Sequence, residues 1–330
     1  MYETAHVNIG LDKTDPKKLA AIARVESALV RGARRYFEER GFTEVTVPHI
    51  TRATGACENI DTLFALDFFG NQSYLVQTGQ LYLESLIPDL GRVFCDGPSF
   101  RAEPAVDERH LTEFRLVEME FPITKPGTVD ELLDEIEGLV QAMAREGLAQ
   151  EDALRYLGAG RGAGVLTEPY ERITYRDAVK MLGGCGVRFG DDLKSSHEAE
   201  IVRRTGRPTF ITHYPIAIKF FNMKQNPQDP EVVNSADLIL PYSGEAVGAA
   251  EREWEYDSLV RRLETSPMLR QLERRGGSIE DFKWYLEEVR QRGIPHAGCG
   301  VGLNRVTQSL IGSGDIRMST AYPQNREGLM

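Results

Sequence analysis

The chain has 330 residues, of which 41% are hydrophobic and 27% charged, and its formal net charge is −11 at pH 7. This length allows one large domain or two modest ones, each able to bury a substantial core. The acidic balance argues against a protein whose main task is to cover nucleic-acid backbone, which needs a basic face, but it leaves room for a small basic patch.

The predicted compartment is the cytoplasm. No apolar run approaches the roughly 18 to 20 residues of a membrane span, and the N-terminal stretch MYETAHVNIGLDKTDPKK lacks the apolar region of a secretory signal. The cysteines form no CxxC pair and no metal-like cluster, so we expect reduced, unbridged thiols at Cys57, Cys95, Cys185 and Cys299.

The first half of the chain predicts a helix followed by strands in hairpins. Apolar residues near helical spacing predict a helix over 17–40, which Gly41 ends, and FTEVTVPHI then alternates as a strand up to its proline. The segments LFALDFF and SYLVQTG flank Gly70 and Asn71, as in a β-hairpin. A short helix GQLYLESLI, the strands RVFCDGPSFRAE and FRLVEMEF, and a helix over 132–143 follow.

The second half begins with a segment from about 145 to 205 that predicts an insertion of small helices. Its LGAGRGAG stretch indicates a flexible loop rather than a phosphate cradle, because no Lys-Ser/Thr pair follows the glycines. Strands are predicted at FITHYP, IKFFNM and DLILP, and helices over 254–275 and 279–292. The last element is a glycine-rich turn, GCGVG, that leads into a helix LNRVTQSLIG.

This order of elements predicts an α+β fold. Strands in hairpins, with helices between them, are typical of a mixed, mainly antiparallel sheet flanked by helices. They do not show the alternating strand-helix pattern of a dinucleotide-binding fold.

The segment FRAEPAVDERHLTEF concentrates charged groups between two phenylalanines. Residues two apart in a strand share a face, which would place Arg101 beside Glu103. On the return strand one face carries Phe114, Leu116, Glu118 and Glu120. An arginine offers planar donors for phosphate or carboxylate, so these groups can form a binding patch. A salt-bridged, solvated hairpin explains the segment alone equally well.

Two glycine-rich segments add further candidates. SGEAVGAAERE places Glu245 after the predicted strand DLILP, with Arg252 seven residues later; a carboxylate there can hold Mg²⁺ bridging phosphates, although a plain Gly/Ala turn is an equal alternative. GCGVGLNR places Arg305 at a helix start, where anions are favoured. The spacing of these glycines is not the dinucleotide fingerprint.

The order of these segments resembles the catalytic core of class II aminoacyl-tRNA synthetases of the asparaginyl/aspartyl branch. ARRYFEERGFTEVTVP is similar to the first motif of that family, FRAEPAVDERHLTEF to the second and GCGVGLNR to the third. The intervening ACENIDTLF, QTGQLYLES, DLILPYSGEAVGAAERE and WYLEEVRQRGIPHAGCGVGL resemble asparaginyl segments. The likeness runs from about residue 20 to 325, so we expect an N-terminal lead over 1–19 and a catalytic domain over 20–330 with its helical insertion.

The resemblance implies ATP and Mg²⁺ as cofactors. Arg101 would hold the α-phosphate of ATP, and Glu103 would accept from the adenine amino group while Phe114 stacks on the ring. His110 and Arg305 would bind the outer phosphates.

By the same resemblance Glu245, with Asp237, would carry Mg²⁺, and the catalytic residues would be Arg101, Arg305 and Glu245. The reaction is in-line attack of a carboxylate on the α-phosphorus, which yields an acyl-adenylate and pyrophosphate. It needs positioning and charge stabilisation rather than a protein nucleophile.

The resemblance also implies a substrate pocket of asparaginyl type. Glu58, Gln77 and Gln80 would hold the amino acid. Aspartyl enzymes carry Lys at the position of Leu83 and Asp at that of Glu118. A Glu118/Arg252 pair, in contrast, would accept from the NH₂ of an amide and donate to its oxygen.

The sequence departs from the synthetase pattern in several places. It begins the first motif almost at once, where the branch places an anticodon-reading OB-fold domain. The glycines of the ACENIDTLF loop are replaced by Asn59 and Ile60. Ala250 stands for a serine that can bind Mg²⁺, and Gln324 for an arginine. These departures argue against tRNA charging more than against adenylation. The resemblance to the first motif, which forms the subunit interface in the family, implies a homodimer.

The function expected from this combination is an AMP-forming ligase similar to archaeal-type asparagine synthetases, which convert aspartate to asparagine with ammonia. Glu118 would then hold the ammonium group of aspartate, and Arg252 its α-carboxylate. The alternatives are asparaginyl-type aminoacylation of tRNA or another carrier, an amide ligase that serves another amine, and a non-catalytic binding paralogue.

Overall fold

A computed structural model describes residues 15–52, 60–159 and 161–327 of the chain. The helices of this part of the chain are α1 Pro16–Glu39, α2 Gln80–Leu90, α3 Asp130–Leu148, α4 Glu151–Tyr156, α5 Tyr175–Met181, α6 Ser195–Thr205, α7 Tyr256–Thr265, α8 Pro267–Arg274, α9 Lys283–Arg292 and α10 Leu303–Ile311. The strands are β1 Thr43–Glu44, β2 Ile50–Thr51, β3 Ala65–Phe68, β4 Asn71–Leu75, β5 Val93–Phe100, β6 Glu113–Pro122, β7 Glu171–Thr174, β8 Thr209–Thr212, β9 Ser235–Leu240, β10 Gly244–Glu251 and β11 His296–Gly302.

The strands form one large sheet and one small sheet. The large sheet has eight strands in the order β1-β5-β6-β11-β10-β9-β8-β7. Only its outermost pairs, β1 with β5 and β7 with β8, are parallel among the described pairings. The small sheet has the order β2-β4-β3, and β3 and β4 form the predicted hairpin. The mixed, mainly antiparallel sheet flanked by helices is therefore confirmed.

The long helix α1 is fixed at its start and along one face. The side chain of Asp15 accepts hydrogen bonds from the backbone N–H of Lys17, at 2.9 Å, and of Lys18, and Pro16 takes the first helical position. This cap satisfies amide groups that have no partner within the helix. The buried stripe packs against α3, and each fully buried side chain contributes about 1.5 to 3 kcal/mol, which makes packing the main stabilising term for Ile22, Val25, Leu29 and Phe37.

The two faces of β6 have different neighbours, because successive side chains of a strand point to opposite faces. Val117, Met119 and Phe121 belong to the core that the sheet forms with α1, α3 and α10. Leu116 and Glu118 line a cavity on the other side. One face of the sheet is thus the protein core, and the other is available for a ligand.

Several predicted elements differ from the structure. GCGVG is not a turn but the last five residues of β11, a strand that lies between β6 and β10. IKFFNM is not a strand: Pro215, which cannot donate to a strand ladder, precedes a short 3₁₀ turn at Ile216–Ile218. The helix predicted over 254–275 is divided, because Pro267 begins a new helix that the Ser266 side chain caps.

Other predictions hold only in part. FTEVTVPHI contributes the two-residue strands β1 and β2 rather than one strand. The segment from 145 to 205 contains small helices but also supplies β7, an edge strand of the main sheet. The prediction of unbridged thiols is confirmed for Cys95, Cys185 and Cys299, whereas Cys57 lies outside the described residues. Among the helices described, none has the length and apolar character needed to cross a membrane.

Candidate active site

A cavity of about 390 Å³ lies on the face of the large sheet opposite the α1/α3 core. Its walls come from β6, β9, β10, β11, the start of α2 and the loop between β5 and β6. It brings together every predicted site residue within the described part of the chain: Gln77, Gln80, Arg101, Glu103, His110, Phe114, Glu118, Asp237, Glu245, Arg252 and Arg305. Glu58 lies outside the described residues.

Arg101 and Phe114 form one wall of this cavity. The guanidinium carbon of Arg101 lies 5.4 Å from the centre of the Phe114 ring, and its Nε is buried without a hydrogen-bond partner. Strand β5 ends at Phe100, so Arg101 and Glu103 belong to a loop and not, as predicted, to one strand face. A buried arginine nitrogen without an acceptor is a costly arrangement unless a ligand supplies one.

Arg305 supplies a second cation. Arg305 lies in the first turn of α10 and lines the cavity. Its guanidinium donates hydrogen bonds to the carbonyl oxygens of Ser243, at 2.5 Å, and Arg109, at 2.7 Å. Burial lowers the pKa of Arg305 to about 10, with Arg109 contributing, so the guanidinium stays charged at neutral pH. Both acceptors are neutral carbonyls, and the positive charge is therefore available to an anionic ligand. His110, 2.8 Å from Asp107, lies in the same region.

The acidic pair lies opposite these cations. Asp237, on β9, is 2.7 Å from the ammonium nitrogen of Lys219. Glu245, at the start of β10, is open to the cavity but surrounded by protein atoms. Burial, then the charges of Asp237 and Glu198, raise the pKa of Glu245 to about 7. The carboxylate oxygens of Glu245 and Asp237 are the type of donor that a hard cation such as Mg²⁺ prefers.

Glu118 is a buried polar group that lines the same cavity. Its carboxylate accepts hydrogen bonds from the Thr78 hydroxyl and, at 2.7 Å, from the backbone N–H of Gly79. Burial raises the pKa of Glu118, and the bond from Thr78 opposes this effect. Gln77 is buried here with its Oε1 unpartnered, while its Nε2 donates to the Thr62 carbonyl at 3.2 Å.

Glu118 and Arg252, the two residues expected to bind the substrate side chain together, lie in the same cavity, and the closest described ion-pair contact of Arg252 is with Glu120. Both residues line the cavity, but Arg252 donates from Nη2 to Glu120 at 2.5 Å and from Nε to the same carboxylate at 3.1 Å. Glu120 lies two residues after Glu118 and therefore on the same face of β6, where its carboxylate contacts Arg252. Gly298 of β11 makes this possible, because a Cβ there would overlap the Glu120 carboxylate.

A buried network that was not predicted supports this pair. Glu84 of α2 accepts from Gln80 Nε2 and from the Tyr285 hydroxyl, each at 2.6 Å, and lies 3.8 Å from Arg252. His296 Nε2 lies 3.2 Å from Glu84, at ion-pair distance but without an aligned hydrogen bond. The i, i+4 spacing of Gln80 and Glu84 on α2 was the available sequence signal for part of this network.

A second unpredicted group, from the insertion, contacts two residues that line the cavity. Glu198 of α6 is buried, accepts from the backbone N–H of Glu245 at 3.2 Å, and lies 3.3 Å from Arg109. Gly244 has φ +71°, and a Cβ there would lie 2.5 Å from Glu198 Oε2. No spacing in the sequence connects α6 with β10, so this contact depends on the tertiary fold.

The cavity thus combines the cationic groups of Arg101 and Arg305, the aromatic ring of Phe114, the carboxylates of Glu245 and Asp237, and the polar side chains of Gln77 and Glu118. The chain matches the family described as tRNA synthetases class II (D, K and N) over residues 4–326. It belongs to this family of class II aminoacyl-tRNA synthetases, and it is an AMP-forming ligase.

Asparaginyl members are among its relatives. The chain is 38% identical over 308 residues to the asparagine–tRNA ligase of Pelotomaculum thermopropionicum, covering 92% of this chain and 69% of the relative. Its structure is similar to asparaginyl-tRNA synthetase from Pyrococcus horikoshii complexed with asparaginyl-adenylate, with a TM-score of 0.84, 32% identity, and coverage of 94% and 70% of the two chains. The Entamoeba histolytica asparaginyl-tRNA synthetase complex with asparaginyl-adenylate gives a TM-score of 0.79 at 30% identity, covering 94% of this chain and 69% of that one.

Proposed function

We propose that the protein activates asparagine with ATP as asparaginyl-adenylate and then transfers the asparaginyl group to tRNA. The observation that carries this proposal is that one cavity is lined both by the Arg101/Phe114 pair and by Glu118 and Arg252. The relatives that are asparagine–tRNA ligases favour this reading over the expected ammonia-dependent synthesis of asparagine.

In the proposed reaction, the α-carboxylate of asparagine attacks the α-phosphorus of ATP, and the bond to pyrophosphate breaks. Arg101 stabilises the negative charge on the α-phosphate, and Arg305 and His110 bind the outer phosphates. Phe114 stacks on the adenine, which Glu103 recognises through its amino group. Fixed cations aimed at developing charge, together with in-line positioning, supply the rate enhancement.

Mg²⁺, held by Glu245 and Asp237, would neutralise phosphate charge when bound. Glu118 orients the side-chain amide by accepting from its NH₂, and Arg252 donates to its oxygen. Gln77 and Gln80 hold the amino-acid end, as does Glu58 by the family resemblance. The homodimer and the cytoplasmic location expected from the sequence remain part of this proposal.

The test is ATP–pyrophosphate exchange with purified protein, Mg²⁺, and asparagine or aspartate. We expect exchange with asparagine. We expect Arg101→Ala to lower it by about 100-fold or more, as for loss of a group that stabilises transition-state charge. The melting temperature should change little, because Arg101 loses a contact with the Phe114 ring but no hydrogen bond of its buried Nε. The exposed Arg155, paired only with Asp152, gives the matched control Arg155→Ala.

The acceptor is tested separately, by adding tRNA or ammonium to the activated enzyme. Formation of asparaginyl-tRNA supports the proposal. Asparagine formed from aspartate and ammonium would instead support the ammonia-dependent ligase. Absence of exchange with any acid would indicate a non-catalytic paralogue.

A further inference from the structure

Three side chains of the types that bind metal ions converge outside the lining of the active-site cavity. They are Glu84 of α2, Glu120 of β6 and His296 at the start of β11, and all three are buried. One ligand atom from each lies within 4.8 Å of the other two. The residues proposed for Mg²⁺, Glu245 and Asp237, line the active-site cavity, whereas these three do not. They therefore form a separate cluster of candidate ligands.

The pairing of β6 with β11 brings two of these ligands together. His296 and Gly298 are two residues apart in β11 and share a face, and Gly298 is the partner of Glu120 across the strands. A Cβ on Gly298 would overlap the Glu120 carboxylate, so this carboxylate lies over the glycine and close to His296. Glu84 reaches the same place from α2.

The His296 ring presents one nitrogen as a free ligand. Its Nδ1 lies 2.7 Å from the carbonyl oxygen of Ile294, a contact that requires the proton on Nδ1. In the neutral ring this leaves an unshared electron pair on Nε2, which is buried without a hydrogen-bond partner among the described residues. Metal-binding histidines have this arrangement, in which the other N–H donates to a backbone carbonyl and fixes the ring.

The separation of His296 and Glu84 fits two ligands of one metal ion. Nε2 of His296 lies 3.2 Å from Oε2 of Glu84, close enough for a hydrogen bond, yet no aligned hydrogen bond joins them. Two ligand atoms of a tetrahedral zinc site, with bonds of about 2.0 to 2.1 Å, are about 3.3 Å apart, and both point at the ion between them. A cation in this position would accept electron pairs that otherwise face each other.

The two carboxylates are held in place by further donors. Glu84 accepts from the Tyr285 hydroxyl and from Gln80 Nε2, each at 2.6 Å. Glu120 accepts from Nη2 of Arg252 at 2.5 Å. A carboxylate has about four lone-pair positions, so each group can keep these bonds and bind a cation as well. Donors of this kind orient the ligating carboxylates of metal sites.

A second cavity gives the cluster a further ligand position and a path to solvent. It has a volume of about 20 Å³ and lies between α2, α9 and the start of β11, where Glu84 and His296 line it. One water molecule needs roughly 10 to 15 Å³, so the cavity has space for a metal-bound water. Glu288 and Arg292, with side chains 39% and 37% exposed, also line this cavity, which therefore reaches the surface.

We propose that Glu84, Glu120 and His296 bind a divalent metal ion of the Zn²⁺ type, with one water as the fourth ligand. Imidazole together with carboxylates favours Zn²⁺, whereas Mg²⁺ prefers oxygen ligands alone, as at Glu245 and Asp237. The ion joins α2 to the main sheet through β6 and β11. It is a structural site, distinct from the Mg²⁺ site of the proposed reaction.

The test is calorimetric titration of metal-free protein with Zn²⁺, in excess Mg²⁺ to fill sites made of oxygen ligands alone. We expect one Zn²⁺ to bind per chain. The melting temperature should rise by about 4 °C when free Zn²⁺ exceeds its dissociation constant a hundredfold. Co²⁺ in place of Zn²⁺ should give the visible absorption of a four-coordinate ion with nitrogen and oxygen ligands.

Variants of the ligands identify where the ion binds. Glu84→Gln and His296→Gln should each weaken Zn²⁺ binding by about 100-fold or more, because even changes to groups that only orient the ligands cost roughly 10- to 100-fold. Tyr285→Phe removes only the hydroxyl that donates to Glu84, so it keeps the packing and should weaken binding by about tenfold.

The matched control is Glu251→Gln. Glu251 is also a buried carboxylate, adjacent to Arg252 in sequence, but it accepts from Gly127 N–H at 3.0 Å and from Asn234. This variant should bind Zn²⁺ as tightly as the unaltered protein does.

Zn²⁺ affinity that is unchanged in Glu84→Gln, His296→Gln and Tyr285→Phe would place the metal elsewhere and overturn the inference. An unaltered protein that binds no Zn²⁺ would also overturn it, and His296 would then be a protonated partner of Glu84. The proposed function is tested by pyrophosphate exchange and does not depend on either result.

Discussion

Gly298 lies in the middle of β11, directly against the carboxylate of Glu120. A glycine inside a strand costs conformational entropy and contributes no packing. Here the missing side chain creates the space in which Glu120 reaches Arg252. Gly298 of the GCGVG segment therefore makes room for the Glu120 carboxylate. It does not bring the backbone close to a phosphate group, which was the role expected for these glycines.

We predict that Gly298→Ala lowers the free energy of unfolding by about 1 to 3 kcal/mol, the usual cost of extra volume in a packed interior. Urea unfolding measures this change. Gly300→Ala is the control, because a Cβ there would have its nearest neighbours at 3.7 Å, an ordinary contact. Equal stability of the two variants would contradict the account of Gly298.

The residues of the site were predicted better than their contacts. Motif order identified Arg101, Phe114, Glu245 and Arg305, because each motif is short and local in the sequence. The partner of Arg252 was not predictable in this way. Glu118 and Glu120 are equivalent in the strand pattern, and only the space left by a glycine on a neighbouring strand decides between them.

At the scale of elements, helix α6 contributes to a site that lies mainly on the sheet. Glu198 connects α6 with the backbone of β10 at Glu245 and with Arg109, whose carbonyl accepts from Arg305. The insertion is therefore a structural support for the part of the cavity that Glu245 and Arg305 line. The sequence predicted the helices of this segment but could not show which strand they contact.

We predict that Glu198→Ala raises the KM for ATP by about tenfold, because misplacement of phosphate-binding groups weakens positioning. The KM for asparagine should change little, since the described contacts of Glu198 are with Glu245 and Arg109 and not with Glu118 or Arg252. Exchange kinetics with each substrate varied in turn measure the two constants. Glu200→Ala is the control on the same helix, where Glu200 pairs with Arg203 and Arg204. A similar rise in both constants would indicate a general loss of structure instead.

Element boundaries failed for reasons that are physical and local. Strand β11 was taken for a turn, because glycines have low strand propensity and only their pairing with β6 and β10 stabilises them there. The split between α7 and α8 was visible in Ser266 and Pro267, a cap followed by a first-turn proline. The prediction of a mainly antiparallel sheet was nevertheless correct, because the hydrophobic pattern of β5 and β6 indicated two paired strands.

At the scale of the whole molecule, α1 joins the two ends of the described chain. Glu26 of α1 faces the C-terminal segment at Thr320 and Ala321. Burial raises the pKa of Glu26 to about 7 from an ordinary value of 4.5, and the polar groups of Thr320 and Ala321 oppose the shift only in part. The contact between the first helix and the C-terminal segment is therefore sensitive to pH.

The direction follows from proton binding in the two states. Between pH 4.5 and 7 the folded protein keeps a proton on Glu26 that the unfolded chain has lost, so the free energy of unfolding decreases as the pH rises through this window. Glu26→Gln removes this ionisation. The free energy of unfolding should therefore decrease between pH 5 and pH 8 by about 1 to 3 kcal/mol less in Glu26→Gln than in the unaltered protein. Urea unfolding at the two pH values measures the difference, and it cancels the contributions of Glu120 and Glu245, which both proteins share. Glu39→Gln, at an exposed position of the same helix, is the control and should show the same pH dependence as the unaltered protein. If Glu26→Gln also shows the pH dependence of the unaltered protein, Glu26 is ionised in the folded state at pH 5 and the prediction is wrong.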